Sequence, residues 1–219
     1  MFPRAWVCSL WLPILTLALA NGAAGQTGAR SDLSQYTAAV ARSGATERLH
    51  ALEQYARVAA PGLLRTDALD FIAFLYLKQG NRIEARKWAT QFPEDNPVGL
   101  ALQSDAQRSL ANSSKDSEAA LLQLVRRGTD AMPRLQRPLG MSEADFGWLR
   151  QQTQAILKGT AGWAELQRKD YENARRDLAE AVAAQPQDVS SVYSLGLAYL
   201  DGKNSDPKQG YWYLARAVN

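Results

Sequence analysis

The chain has 219 residues, 46% of them apolar and 21% charged, a balance that supports a packed core and excludes a disordered polyampholyte. Lys and Arg exceed Asp and Glu by only three, and both signs alternate along the chain, which excludes a nucleic-acid-binding field. A single cysteine, Cys8, and a single histidine, His50, exclude the clustered ligands of a structural zinc site.

In chain order, Arg4, the apolar run from Ala5 to Ala20 interrupted by Pro13, and the small residues that follow read as a secretory signal peptide over 1–25. The run is shorter than the roughly 20 apolar residues of a membrane helix, so no stable span is expected after cleavage. Cleavage is placed after Gly25, where Ala23 and Gly25 give small, any, small spacing. The product is expected to be exported, periplasmic or secreted, and to lack cysteine. A flexible leader follows over 26–30.

From 31 to 128 the pattern predicts helix pairs. Asp32 to Ala41 and Ala45 to Ala60 are separated by Ser43 and Gly44, and Ala51, Tyr55 and Val58 share a face of the second. Thr66 is a cap candidate for a helix carrying Leu69, Ile72, Ala73 and Tyr76; Gly80 and Asn81 turn, and Ala85 lies on a helix running towards Phe92. A weaker unit from Val98 to Gly128 has Ala119 in register with Ala85. Two prolines and two glycines between Gly128 and Met141 predict an exposed connection over 129–141. Ser142, with Asp145 three residues on, starts a helix through Phe146, Leu149 and Ile156 that continues towards Gln167 or kinks at Gly159 to Gly162. Lys169, Asp170 and Tyr171 turn into a helix with Ala174, Leu178 and Ala181 at i, i+4 and i+7, closed by Pro186. Asp188 then caps the run VYSLGLAYL. Ala51 to Ala85, Ala85 to Ala119 and Gly162 to Gly196 are each separated by 34 residues, the mark of an internal repeat.

The order Gly162, Ala174, Leu178, Ala181, Pro186, the turn KDYENA, and Leu195, Gly196 and Tyr199 in the last unit resemble the tetratricopeptide repeat. The longer final turn DGKNSDP with QGYWYLARAV is similar to the Sel1-like variant of that superfamily. Lys158 stands where the family often has Trp, and Glu165 where it has Tyr. The resemblance implies an all-α, right-handed solenoid, with C-terminal repeats over 142–219 that are incomplete at their end. It implies no cofactor and no enzymatic activity, but a protein or peptide partner held in a concave groove lined by first helices. Carried over by position, the groove residues are Asp70 and Phe74, Gly159 and Trp163, and Tyr193 and Leu197. The family's Lys and Asn carboxylate clamp is absent, so apolar and aromatic contacts are expected to dominate. The same helical spacing also fits simple burial of these aromatics.

Other chemistry finds little support. His50 has no nucleophile motif beside it and is expected on a helix surface. Ser205 and Lys208 have S-x-x-K spacing, but Pro207 and a loop setting deny them one helical turn. Glu94 with Asp95, and Glu143 with Asp145, suit solvated helix ends better than acid–base work on a glycan. The rival function is the N-terminal helical platform of a larger cell-envelope enzyme, for example a lytic transglycosylase. The last helix, carrying Trp212, Leu214, Ala217 and Val218, has an uncovered apolar face and is expected to favour self-association.

Overall fold

A computed structural model describes residues 29–110 and 115–218. The expected signal peptide and residues 26–28 of the leader lie outside the described residues, while residues 29 and 30 already belong to a helix. Among the described residues the regular elements are all helical. They are α1 (29–40), α2 (Ala45–Val58), α3 (Leu63–Lys78), α4 (Arg82–Lys87), α5 (Pro97–Leu110), α6 (Lys115–Ala131), α7 (Glu143–Gln167), α8 (Tyr171–Ala184), α9 (Val189–Leu200) and α10 (Pro207–Val218).

Local chemistry sets most of the boundaries. Ser142 accepts the Asp145 N–H at 3.1 Å and starts α7, and Asn81 accepts the Glu84 N–H at the start of α4. Thr66, expected as a cap, instead lies inside α3 and donates back to the Gly62 carbonyl at 3.1 Å. Asp188 makes no cap bond to α9 because its carboxylate is taken by Arg82 and Ser191.

The two turns α3–α4 and α7–α8 close in the same way. Asn81 N–H reaches the Tyr76 carbonyl and Gly80 N–H that of Leu77; Asp170 N–H reaches Glu165 and Lys169 N–H reaches Leu166. Each is a six-to-one helix ending with a left-handed residue, Gly80 at φ 72° and Lys169 at φ 63°.

Consecutive helices pack on one another: α2 on α3, α5 on α6, α8 on α7, and α9 on α8 and α10, while α5 also reaches α7. One core gathers Tyr36, Leu52, Leu69, Ile72, Leu102 and Leu149; a second gathers Leu166, Ala174, Leu178, Val192 and Leu195. Helix α7 serves both, running unbroken through Gly159 and Gly162.

Three expectations shift. Helix α6 continues through Gly128, whose Cα lies so close to α7 that a Cβ would meet Leu157 Cδ2 at 2.6 Å; the connection therefore begins after Ala131. That connection is fastened rather than free, since Tyr36 Oη donates to the Leu139 carbonyl at 2.7 Å, the Leu139 N–H donates to Asp67 at 3.0 Å, and Met141 is buried. Val58 is 77% exposed and Ala119 is exposed; α2 buries Tyr55 as expected, but with Leu49, Leu52 and Ala56 rather than Val58, and Gly128 is the small residue at the α6 crossing.

Candidate functional site

The six residues expected in a groove divide into two sets. Phe74 lies in the first core, 5% exposed, with its ring edge-on to Trp148 at 5.6 Å and to Phe71 at 6.5 Å. Gly159 is also buried: a Cβ there would meet Ser191 Oγ at 2.6 Å, so this is where α7 and α9 touch. Asp70 is 3% exposed on the inner side of α3. None of these three offers the broad surface a groove needs. Trp163 and Leu197 are half-buried and Tyr193 is 48% exposed.

Trp163 lies on α7, and Tyr193 and Leu197 lie on α9, where Leu197 packs in part against the second core. Val192, Leu195 and Ala198 turn inwards on α9, and Gly196 lies so close to α10 that a Cβ would approach Leu214 at 2.9 Å and the Gly210 carbonyl at 3.0 Å. On another side Val189, 58% exposed, is followed at i+4 and i+8 by Tyr193 and Leu197. Sequence reasoning found two members of this stripe but not Val189, which its i−4 spacing from Tyr193 could have supplied. Helix α10 presents Tyr211 and Trp212 to solvent, while Tyr213 stacks on Tyr199 at 5.7 Å.

A charged network that no linear pattern announced joins α4, α5 and the start of α9. Asp105 accepts from Arg82 Nε at 2.8 Å and Arg86 Nε at 2.5 Å, and Arg82 Nη1 reaches Asp188 at 3.2 Å. Burial works to raise the Asp188 carboxyl, but Arg82, the Ser191 hydroxyl and Arg108 together hold it below its usual range. Arg108, lowered chiefly by its burial, donates from Nη2 to Ser190 Oγ, and its Nη1 has no hydrogen-bond partner among the described residues. Beside this network a cleft of about 490 Å³ is lined by Lys78, Trp148, Gln152, Gln185 and Arg82, with the Lys78 ammonium 4.8 Å from the Trp148 ring centre.

The two departures from the repeat pattern form a polar seam between α7 and α8. Lys158 pairs with Asp177 and Glu180, both at 3.1 Å. Glu165 is held up to about 7 by burial, with Asp177 and Asp170 adding to the effect, and its Oε2 has no hydrogen-bond partner among the described residues.

His50 is exposed, 3.7 Å from Glu53, and Ser205 sits in the exposed turn before α10. Among the described residues no group of three or more His, Cys, Asp or Glu is placed to hold a metal ion, and no helix is long and apolar enough to cross a membrane. Comparison of the chain with protein-family models, with curated proteins and with solved structures gives no match.

Proposed function

We propose that this protein is an exported scaffold of tetratricopeptide-like helix pairs, arranged as a right-handed solenoid, that binds another protein through the open face of α9. The observation that carries the reading is the stripe of Val189, Tyr193 and Leu197, apolar and exposed or half-exposed on a helix whose opposite side is packed. An uncovered apolar row at i, i+4 and i+8 matches the anchors by which a helix engages a partner segment. The repeat reading is supported by the matching turns at Gly80 and Lys169 and by glycines at two crossings, Gly162 against Leu178 and Gly196 against Leu214.

The test uses the purified chain as bait in cell-envelope extract, with Val189→Asp and Tyr193→Asp as separate variants. Both positions are exposed, so melting is expected to stay within about 0.5 kcal/mol of the parent. A partner retained by the parent and lost by both variants is the expected result. Equal capture by parent and variants rejects the face. Export is checked on the same preparation by intact mass: an N-terminus near Gln26 is expected, and a cytosolic chain retaining Met1 rejects it.

A further inference from the structure

Helix α3 carries two buried carboxylates one turn apart, Asp67 at 8% exposure and Asp70 at 3%, and both line a cleft of about 230 Å³. The cleft is walled by Leu63, Pro93, Pro97 and Leu135. Each carboxylate has one oxygen engaged by a neutral donor: Asp67 Oδ2 accepts the Leu139 N–H at 3.0 Å, and Asp70 Oδ1 accepts from Asn96 Nδ2 at 3.3 Å. The other oxygen of each accepts no hydrogen bond from any described residue.

Three other buried carboxylates have a cation beside them. Asp105 has Arg82 and Arg86, Asp177 has Lys158 and Arg176, and Glu53 has Arg57. Asp67 and Asp70 pair with no cation among the described residues. Arg134 lines the same cleft and forms no ion pair with either carboxylate. A buried charge without a counter-charge is costly, and here two stand side by side and open into a space. Burial together with the neighbouring Asp67 keeps the Asp70 carboxyl up to about 8, the response of a group whose counter-charge is missing.

We propose that this cleft binds a primary ammonium group on a short aliphatic stem, the head taken by the free oxygens of Asp67 and Asp70 and the stem by the leucine and proline walls. An ammonium brings three N–H donors and a full positive charge, which two acceptor-only carboxylates can satisfy together. The ligand can be a free alkylamine or a lysyl side chain, which share this chemistry. The site has no residue in common with the α9 stripe, and its test does not depend on it.

The full chain is titrated by calorimetry near pH 9, where the carboxylates are ionised and the amine remains charged, with n-butylammonium, with a capped tripeptide centred on lysine, and with n-butanol. Saturable binding of the amine or the peptide, with none of n-butanol, is expected; amine alone identifies a free amine as the ligand, and an equal or tighter peptide identifies a polypeptide. Asp67→Asn and Asp70→Asn are each expected to weaken binding at least about tenfold, the weight of one charge-assisted hydrogen bond. Two substitutions at different positions, each checked for folding by circular dichroism, separate loss of the site from loss of the fold. Absence of saturable binding by both charged probes, equal binding of n-butanol, or undiminished binding by both folded variants overturns the proposal.

Discussion

Asp70 joins two roles that a sequence cannot separate. Its Oδ1 steadies Asn96, whose own Oδ1 accepts the Gly99 N–H at 2.9 Å and so caps α5, yet its burial disfavours the charge it carries. Unfolded, the group titrates near the ordinary 3.8; folded, burial outweighs the lowering effect of Asn96 and holds it up to about 8. Between those values the native chain keeps a proton that the unfolded chain has released, so the contribution of Asp70 to stability is greatest below about pH 4, falls as pH rises towards 8, and then levels. Asp70→Asn keeps an oxygen for Asn96 and removes the titration. It is expected to be more stable than the parent at about pH 9 by on the order of 2 kcal/mol and equal to it near pH 4. Thermal melts at the two pH values check this. An undiminished slope in the variant would assign the pH dependence to Glu165, which burial raises in the same direction. The sequence marked Asp70 through its place before a small residue, but read it as groove lining, because nothing local reveals that the segment 134–136 and the loop at Pro93 close over it.

At the scale of elements, the spacing of small and large residues located α7, α8 and α9 because each buries a stripe against a sequence neighbour. Ala174, Leu178 and Ala181 are at most 1% exposed, as their i, i+4, i+7 spacing required. The same reasoning misplaced Ala119 and Val58, since alanine and valine are common enough to fall in register without being packed. It also missed the strain in the α7–α8 turn. Lys169 holds φ 63°, a left-handed conformation that costs a residue with a Cβ about 1 to 2 kcal/mol, whereas the matching turn of α3–α4 uses Gly80. A Cβ on Gly80 would meet nothing within 4 Å, so the cost there is conformational alone. Lys169→Gly is therefore expected to stabilise, and Gly80→Ala to destabilise, each by about 1 kcal/mol in urea titrations. Gly202 combines both costs, with φ 90° and a Cβ that would lie 2.8 Å from the Tyr171 ring, so a larger residue there is also expected to destabilise although it lies in a turn. A gain from Gly80→Ala would mean that the two turns are not equivalent.

For the whole molecule, the question is what joins the two cores. Helix α7 runs through both, but the start of α9 is also tied to the first half of the chain through Asp188, Arg82 and Asp105. These residues are far apart in sequence, and long-range ion pairs leave no periodicity to read. Asp105 is 2% exposed and meets two guanidinium groups, so removing it strands Arg86 and weakens the hold of Arg82 on Asp188. Breaking a buried pair from one side costs on the order of 3 to 5 kcal/mol, whereas the exposed pair of Arg127 with Glu94, 89% exposed, contributes about 1 kcal/mol or less. Asp105→Ala is accordingly expected to lower stability several-fold more than Glu94→Ala. The two halves distinguish the architecture further. If the network fastens α9 to α4 and α5, amide exchange in Asp105→Ala accelerates in 189–218 before it does in the first core, because that segment is held otherwise by α8 and the end of α7. Uniform acceleration through both cores would show that α7 alone unites them and that the network only balances buried charge.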